Sequence, residues 1–419
     1  MSPHRPSTQR PYPMSPARSR PTLYPPRLIG AALERCLYCE SPDIIKKGKR
    51  YKKLEIIQLW YCHHCQCVFT PQITKGKTYP LKVILESLML YYRGETRLHT
   101  SERIKERFGI AVPPRTFSKW LAEYRTITTY ARLRERCATR FRPSQLIRAT
   151  RLHHKQVYTY RVHQGKLAQV LDNPEHRQCR PLADYLTEMA ASCPHQLFQT
   201  DARASQDKAA FNLDAVEIEA KRNHACRMAG LILQTVTYNT RRHDELQRFM
   251  LTTDSVTVAV EVPISLTPDD IAHFTRELGF DIPLASTTTL TGHIDVLQIR
   301  NGRVHILDYK PGAAKEKPIT QLMVYALALS RRTGLRLFDF TCAWFDEHDY
   351  FEFYPLHVVH KREHQDDTLL HLGDPAERER NGARRREWVQ QLGTPNLWMS
   401  PPLPRHGKKQ VRQWIHIST

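Results

Sequence analysis

The chain has 419 residues, of which 41% are hydrophobic, and it carries a formal net charge of +21 with a pI near 9.6. This length suffices for two or three domains, and no apolar run approaches the roughly eighteen residues that a membrane-spanning helix requires. The sequence therefore argues against a helical membrane protein. Because we find no secretory signal, we expect a cytoplasmic location, close to the nucleoid if the source is prokaryotic.

The excess positive charge lies almost entirely in the N-terminal third of the chain. Residues 1–150 contain 29 Lys and Arg against 10 Asp and Glu, a net charge of +19, which leaves a net charge of +2 for the remainder. Such a distribution is typical of a polyanion-binding region joined to a nearly neutral domain. DNA is the expected partner. An anionic membrane surface is the other generic polyanion, and we expect no membrane association.

The first thirty residues lack the composition of a folded segment. They contain eight prolines and five arginines and no acidic residue. A segment of this kind cannot bury enough apolar surface to order itself. We expect residues 1–30 to form a disordered basic arm, which either contacts DNA or is simply solvated.

Two C-x-x-C pairs follow the arm. Cys36 and Cys39 are separated by 22 residues from Cys62 and Cys65, a spacing typical of a tetrahedral zinc site. We expect residues 31–72 to fold around a structural Zn²⁺ ion, with a β-hairpin at 49–61 between the two pairs. Disulfides are a poor alternative in a chain without a secretory signal.

The surroundings of the second pair leave the last zinc ligands open, since His63, His64 and Cys67 lie beside it. The segment from 36 to 70 is similar to the zinc ribbons that open many insertion-element transposases. That resemblance implies a small zinc-stabilised module at the start of a DNA-binding region.

Three helices are predicted after the ribbon, at Leu81–Tyr92, Ser101–Phe108 and Arg115–Tyr124. Ser101 or the preceding threonine is a natural N-cap for the second helix, and the glycine at 109 ends it. Helix, glycine turn and basic helix indicate a helix-turn-helix region at 78–150, although a generic helical hairpin with a solvated basic face is the alternative. The residues expected to contact DNA are Arg115, Thr116, Ser118 and Lys119. A ribbon followed by such a unit again resembles a transposase N-terminus.

The stretch from 126 to 215 is the least informative part of the chain. Residues 126–149 are basic and predicted to be helical, and we expect 151–215 to be a helical linker region of unknown role. Two histidine–cysteine pairs here, His176 with Cys179 and Cys193 with His195, could form a second metal site, but their spacing is loose. Ordinary buried cysteines and loop histidines are the favoured interpretation.

Two acidic residues lie in a predicted β-hairpin in the C-terminal half. Asp295 falls in an apolar run at 290–299 and Asp308 in a second run at 304–309, and Asn301-Gly302 between them is a strong two-residue turn signal. Paired strands would bring the carboxylates close together, where they repel each other unless a divalent cation lies between them. Oxygen ligands of this kind suit Mg²⁺ or Mn²⁺.

A lysine completes this cluster. Lys310 lies two residues beyond Asp308, so the alternation of a strand places both side chains on one face of the sheet. There its ammonium group could orient an attacking water or stabilise charge on a phosphorane-like transition state.

This pattern resembles the PD-(D/E)XK nuclease superfamily, and in particular its RecB-like branch. The ordered pieces are G-x-x-D ending at Asp295, D-x-K over Asp308 and Lys310, and Q-x-x-x-Y over Gln321 and Tyr325. The resemblance covers residues 221–357. It implies that the two aspartates hold a catalytic Mg²⁺ or Mn²⁺ ion and that the lysine acts on the water or the transition state.

Further residues extend the resemblance. Glu261 looks like the acidic residue of the family's preceding strand, and His243 resembles the histidine that some branch members use as an extra metal ligand, a role for which His224 competes. Gln321 and Tyr325 are four residues apart and share one helix face, which in the family borders the active site and contacts DNA phosphate or the catalytic groups. The alternatives are that Asp295 and Asp308 are hairpin-end residues on an exposed sheet face, that Glu261 and His243 face solvent, and that Tyr325 faces the core.

The order of predicted elements also fits this superfamily. We predict a helix at 241–251, a strand at 256–265, the hairpin, a helix at 318–330, and strands at 336–345 and 350–356. The expected fold class is multidomain α+β, with the zinc ribbon and helical helix-turn-helix domain first. A restriction-endonuclease-like α/β core with a mixed sheet follows at 216–365, and then a basic tail at 366–419.

The sequence therefore predicts a metal-dependent deoxyribonuclease that the ribbon and helix-turn-helix direct to DNA. A non-catalytic sequence-specific DNA-binding protein, or a transposase-related regulator, is the alternative. A DDE-type catalytic domain normally follows such an N-terminus in transposases, and no convincing acidic triad of that type is visible. A homodimer, or mobile-element proteins as partners, is compatible with this interpretation.

Overall fold

The structure is a computed structural model that describes residues 28–29, 33, 35–51, 54–70, 77–199, 202–207, 209–213, 216–284 and 287–359. These residues belong to one compact unit. The predicted basic arm, apart from its residues 28–29, and the predicted basic tail lie outside the described residues. None of the helices in these ranges is both long and apolar enough to cross a bilayer.

A small sheet comes first in the chain. Its strands are β1 (Leu28–Ile29), β2 (Ile44–Tyr51), β3 (Ile56–Cys62) and β4 (Val68–Phe69). Strand β3 pairs with the other three, in parallel with β1 and antiparallel with β2 and β4. The predicted hairpin between the cysteine pairs is confirmed, and it is longer than 49–61. Its buried apolar cluster is small and consists of Cys36, Trp60, Cys62 and Phe69. Ile57 and Gln58 of β3 are buried as well.

Five helices follow the small sheet. They are α1 (Leu81–Tyr92), α2 (Arg97–Phe108), α3 (Pro114–Glu123), α4 (Arg134–Arg140) and α5 (Pro143–Leu146). The bounds predicted for α1 are confirmed, and Gly109 at φ 67° ends α2 as expected. The predicted start of α2 is wrong, because Thr96 caps the helix by accepting a hydrogen bond from His99 N at 3.1 Å. Thr100, one of the predicted caps, is instead buried inside α2.

The large sheet has eight strands. They are β5 (Ile147–His154), β6 (Gln156–His163), β7 (Glu219–Ala220), β8 (Thr257–Leu266), β9 (Leu290–Arg300), β10 (Arg303–Tyr309), β11 (Phe340–Phe345) and β12 (Tyr350–Phe353). Their order across the sheet is β5-β6-β8-β9-β10-β11-β12-β7. Only the β10–β11 pair of this order is parallel. The mixed sheet expected from the sequence is confirmed.

Helices cover both faces of the large sheet. The remaining ones are α6 (Gln164–Leu171), α7 (Arg180–Ser192), α8 (His224–Ile232), α9 (Arg242–Thr253), α10 (Pro268–Ala272), α11 (Ile319–Thr333) and α12 (Pro355–Val359). Apolar residues of α7 and α11 share one core with the sheet, and those of α1, α8 and α9 share a second core with it. The result is a restriction-endonuclease-like core, and the predicted order of helix, three strands, helix and strand is confirmed from α9 to β11.

The hairpin at the centre of the sheet forms as its turn residues dictate. Asn301 and Gly302 both adopt positive φ, at 52° and 67°. This is the conformation that matches the twist of two antiparallel strands joined by two residues. The turn therefore sets the register in which β9 and β10 pair, from Arg300 opposite Arg303 onward.

Two predicted strands are shorter in the structure. The strand expected at 336–345 begins only at Phe340, because Asp339 accepts a hydrogen bond from Arg336 N at 3.0 Å and a turn of 3₁₀ helix precedes the strand. The strand expected at 350–356 ends at Phe353, since Pro355 lacks the N–H that a ladder needs and instead opens α12.

The interpretation of residues 126–163 also needs correction. Helical structure ends at Leu146, and the residues from 147 to 163 form β5 and β6 instead of continuing into a helical linker. Strand β6 joins the large sheet by pairing with β8. The reason is an alternation that the many basic residues obscure in the sequence, since Leu152 and His154 are buried while their neighbours are exposed.

Candidate active site

Three carboxylates line up across neighbouring strands of the large sheet. Glu261 on β8 lies opposite Asp295 on β9, and Asp295 lies opposite Asp308 on β10. We call these three residues the acid row. The register follows from the adjacent Cα partners, which are Val260 with Val296, Val262 with Ile294, and Leu307 with Val296. Sequence reasoning selected all three residues, and the structure brings them together.

Asp295, in the middle of the row, is held from two sides. Its Oδ2 accepts a hydrogen bond from Tyr309 N at 3.0 Å and lies 3.3 Å from His243 Nδ1 on α9. Burial raises the pKa of Asp295, but the hydrogen bond and charge of His243 outweigh it, and the pKa is lowered. Burial lowers the pKa of His243, but the hydrogen bond and charge of Asp295 outweigh it, so the pKa is raised. His224, the competing candidate, instead lies with Nε2 2.9 Å from the carbonyl oxygen of Ile127.

Asp308 and Lys310 form an ion pair in which the ammonium nitrogen lies 2.8 Å from Asp308 Oδ2. Gln321 on α11 connects both, accepting from Lys310 Nζ at 3.2 Å and donating to Asp308 Oδ1 at 3.2 Å. Its amide also donates to Tyr325 Oη at 2.9 Å. The Q-x-x-x-Y pair therefore holds the catalytic candidates in place through one continuous network.

The glycine of the G-x-x-D piece makes room for the tyrosine of that network. A Cβ atom on Gly292 would lie 2.6 Å from Tyr325 Cε1 and 3.0 Å from its hydroxyl oxygen. A methyl carbon essentially never approaches a ring carbon to 2.6 Å, so a side chain here would displace the ring. Gly292 is thus required for packing, since its φ is not in the left-handed region.

Glu261 is held by contacts that sequence reasoning missed. Gln247 Nε2 donates to Glu261 Oε1 at 2.7 Å, and Glu261 adopts a positive φ of 53° inside its strand. Such a conformation is strained for a residue with a side chain and is concentrated at functional sites. Gln247 lies four residues after His243 on α9, so the helical period could have revealed it as a neighbour of the site.

The charges of the acid row are not balanced by the protein. Burial and the nearby Asp295 charge raise the pKa of Glu261 to about 8, and the same two causes raise the pKa of Asp308 to about 7. Both pKa values therefore lie near or above neutral pH although Lys310 and His243 are close. A group of acids that cannot all ionise alone is one that a divalent cation stabilises in its charged form.

Comparison with known proteins places this geometry in a family. A family model of the PD-(D/E)XK nuclease superfamily matches residues 131–392, which is more than half of the chain. The chain belongs to the PD-(D/E)XK nuclease superfamily. No curated protein and no solved structure matches it.

The superfamily match begins well before residue 216, where the sequence predicts the nuclease domain to begin. It includes β5 and β6, the two strands that extend the large sheet beyond β8. The PD-(D/E)XK region therefore takes in part of the stretch that the sequence left without a role.

The donor set of the acid row suits the metals that PD-(D/E)XK nucleases typically use. Glu261, Asp295 and Asp308 offer carboxylate oxygens, and His243 offers an imidazole nitrogen. The His243 ring packs edge-on against the Tyr309 ring, with the ring centres 5.0 Å apart. Hard oxygen donors of this kind favour Mg²⁺ and Mn²⁺. The residues present thus fit a divalent cation.

The four ribbon cysteines converge as a second group of potential metal ligands. Cys36 Sγ lies 3.6 Å from Cys65 Sγ, and Cys39 Sγ lies 3.6 Å from Cys62 Sγ. These separations are far too long for disulfides and are close to the roughly 3.8 Å edge of a tetrahedron of thiolates around zinc. Of the residues that competed for the last two positions, His63, His64 and Cys67 are not part of this group.

Helix α3 carries the residues predicted to contact DNA. Arg115 and Lys119 are exposed, and Thr116 and Ser118 are half-buried. Phe117 and Trp120 on the opposite side of α3 are buried in the helical core. One face of α3 therefore presents two unshielded cations to solvent.

Proposed function

We propose that this protein is a metal-dependent DNA nuclease that hydrolyses phosphodiester bonds at the acid row. The observation that carries the proposal is the arrangement of Glu261, Asp295 and Asp308 on three adjacent strands, with Lys310 ion-paired at its edge. The PD-(D/E)XK family supports nuclease activity in general terms. DNA as the substrate is supported by the net charge of +19 in residues 1–150.

Each residue of the site has a distinct task in this proposal. Asp295 and Asp308 would hold a Mg²⁺ or Mn²⁺ ion, with Glu261 and His243 assisting. When bound, such an ion polarises the phosphate and lowers the pKa of a water molecule. Burial lowers the pKa of Lys310, but the neighbouring Asp308 raises it, and the pKa is raised overall. The Lys310 side chain therefore carries a positive charge toward the phosphate.

The support around these residues limits their movement. Gln321 fixes both Lys310 and Asp308, and Tyr325 fixes Gln321. Arg242 donates to the hydroxyl of Tyr309 at 2.8 Å and pairs with Glu347, which anchors the residue between Asp308 and Lys310. A catalytic group held this firmly avoids the loss of rate that small misplacements cause.

Targeting to DNA is assigned to the N-terminal region. The cysteine cluster would bind Zn²⁺ and order the ribbon, and α1, α2 and α3 would act as a helix-turn-helix with α3 against the DNA. Arg115 and Lys119 would contact phosphates or bases, with Thr116 and Ser118 beside them. The ordered G-x-x-D, D-x-K and Q-x-x-x-Y pieces, with Glu261 on the preceding strand, support a place in the RecB-like branch, and the ribbon supports an association with mobile elements.

The test is cleavage of linear, circular and single-stranded DNA by the purified full chain with Mg²⁺, Mn²⁺ or chelator, beside Lys310→Ala and the exposed control Lys317→Ala. We expect metal-dependent cleavage that Lys310→Ala loses and Lys317→Ala keeps. The preferred substrate then separates an endonuclease from an exonuclease. Retained DNA binding without cleavage under every condition would contradict the proposal and favour a non-catalytic, sequence-specific DNA-binding regulator.

A further inference from the structure

A second cluster of metal-ligand side chains lies outside the ribbon and the acid row. His154 ends β5, and Cys193 and His195 follow α7. Their nearest ligand atoms all lie within 4.8 Å of one another. Cys193 and His195 thus converge with His154, which lies 39 and 41 positions before them in the sequence, on a single point beside the large sheet.

The distances in this cluster are close to those around one tetrahedral ion. His154 Nε2 lies 2.9 Å from His195 Nδ1 and 3.8 Å from Cys193 Sγ. Ligands on a zinc ion are separated by about 3.3 Å for two nitrogens and about 3.6 Å for nitrogen and sulfur. Shifts of a few tenths of an ångström would therefore bring the two pairs that include His154 to the separations around one ion, and the third pair, Cys193 with His195, lies within 4.8 Å.

The other ring nitrogen of His154 is already engaged. His154 Nδ1 lies 2.9 Å from Nε2 of His293 on β9. A metal-binding histidine usually donates its remaining N–H to a fixed acceptor, which orients the ring and raises its basicity. Phe198 stacks on His154 at 3.9 Å and Tyr158 stacks on His293 at 3.8 Å, so both rings are held in place.

We propose that His154 Nε2, Cys193 Sγ and His195 Nδ1 bind a Zn²⁺ ion, with solvent at the fourth position and His293 accepting a hydrogen bond from His154. Two imidazoles and a thiolate suit zinc and are poor ligands for Mg²⁺. Binding converts the Cys193 thiol to a thiolate and releases its proton to solvent. Because His195 is exposed, the fourth position is open to water.

The cluster also corrects the pairing considered from the sequence alone. Cys179 is fully buried among apolar side chains, and His176 Nδ1 lies 3.3 Å from the carbonyl oxygen of Val170. Neither joins Cys193 and His195. The third ligand comes from β5 instead, which no local spacing could indicate.

The proposed ion would connect three parts of the PD-(D/E)XK region. It would join the end of α7 to β5 directly and to β9 through His293, which lies two residues before Asp295. The role of the site would thus be positioning, since its ligands do not belong to the acid row. It does not depend on whether the protein cleaves DNA.

The test is the zinc content of the full chain after extensive washing with a metal-chelating resin, measured by mass spectrometry of the metal. We expect about two zinc ions per wild-type chain and about one in His195→Ala and in Cys193→Ser. The control is His153→Ala, which removes an exposed histidine next to His154 and should leave the zinc content unchanged. Cys62→Ser/Cys65→Ser removes the ribbon ion separately.

Cobalt substitution gives a second readout in the Cys62→Ser/Cys65→Ser background. Co²⁺ in the remaining site should show tetrahedral absorption bands and a sulfur charge-transfer band of one thiolate, and Cys193→Ser should abolish the latter. Because His195 is exposed, His195→Ala and wild type should have the same melting temperature once a strong soluble chelator has removed zinc from both, so any difference between the zinc-loaded proteins comes from the lost ion. A wild type that holds one ion, all of it lost with the ribbon cysteines, would overturn the proposal, as would unchanged zinc and cobalt spectra in both variants.

Discussion

The ribbon cysteines and the acid row are both candidate metal centres, but the protein supports them in different ways. The ribbon is a small sheet whose buried apolar cluster contains two of its own ligands, Cys36 and Cys62, with Trp60 and Phe69. The acid row lies on central strands of an eight-stranded sheet that helices cover on both faces. The first centre has little core beyond its ligands, and the second is carried by a large one.

This difference in core size indicates which of the two centres requires a bound ion in order to fold. A module with so small a core would derive much of its stability from a bound metal, and we expect it to unfold when that metal is removed. The acid row is positioned by strand register and by neighbours such as Gln247 and Gln321, so its carboxylates are in place before any ion arrives. The cost of that arrangement is the raised pKa of Glu261 and of Asp308.

The largest expected effect comes from Asp308→Asn, which breaks the acid row without changing its shape. We expect DNA cleavage to fall by about 10³-fold or more, because a ligand of the catalytic ion is lost. Below about pH 7 the melting temperature of the metal-free protein should change little, since the neutral amide resembles the carboxyl group that is largely protonated there. Asp184→Asn, on the exposed side of α7, is the matched control; equal rates in both variants would refute the role of Asp308.

Removing the zinc ion proposed for the ribbon should have the next largest effect, and it should disturb the ribbon and leave the acid row intact. In Cys62→Ser/Cys65→Ser we expect residues 35–70 to become sensitive to limited proteolysis while the PD-(D/E)XK region stays resistant. DNA affinity should fall by about 10-fold or more, because the orientation of the basic N-terminal region is lost. A cooperative loss of both regions would show that the ribbon is part of the nuclease core.

Gly292→Ala tests the packing of the nuclease site. The added methyl group would meet the Tyr325 ring at 2.6 Å, so we expect a loss of about 1–3 kcal/mol in the free energy of unfolding. Denaturant unfolding measures this loss. Gly230→Ala in α8, where the nearest atom to the new Cβ is 3.8 Å away, should be neutral or stabilising. A stability loss of equal size in both would contradict the packing argument.

The pH dependence of metal stabilisation follows from the raised pKa values. Without metal, the protonated forms of Glu261 and Asp308 stabilise the fold; that contribution is complete below about pH 4 and is lost as the pH rises through about 7 and 8. A divalent ion competes with these protons, so the rise in melting temperature caused by Mg²⁺ should be small near pH 6 and should grow through about pH 8. A rise that is independent of pH would contradict this assignment.

The smallest effect is expected at the DNA-binding face. Arg115→Ala/Lys119→Ala should reduce the salt dependence of DNA binding by a slope of about 2, since two phosphate contacts disappear. Binding measured over a range of salt concentrations gives this slope. Fold and cleavage of saturating DNA should be unchanged, and an unaltered slope would remove α3 from the interface.

Much of the site could be predicted because its signals are local. The turn at Asn301-Gly302, the acidic residues on either side of it and the C-x-x-C pairs each depend on a few neighbouring residues. The features that the sequence did not reveal depend on contacts between residues that are far apart in the chain. Strand β6 joins the sheet by pairing with β8, nearly a hundred residues later, and no periodic pattern in the sequence predicts that contact.

The same reasoning explains which side chains were missed. Gln247 has a helical relation to His243 that could have been used, whereas His154 has no local relation to Cys193 or His195. The reason why position 292 must be glycine could not be predicted either. The ring of Tyr325, on a helix that follows the hairpin, leaves no room for a side chain there. In each case the sequence shows the residue type, but only the structure shows the contact that explains why that residue is there.

The most direct test of the central claim is Mn²⁺ binding to zinc-loaded protein at about pH 8, measured by calorimetry for the wild type, Asp308→Asn and Asp184→Asn. If the acid row is a divalent-metal centre, the wild type and Asp184→Asn should bind Mn²⁺ with the same affinity and Asp308→Asn about 10-fold more weakly or worse. Equal binding by all three proteins would contradict the claim that the acid row holds the ion.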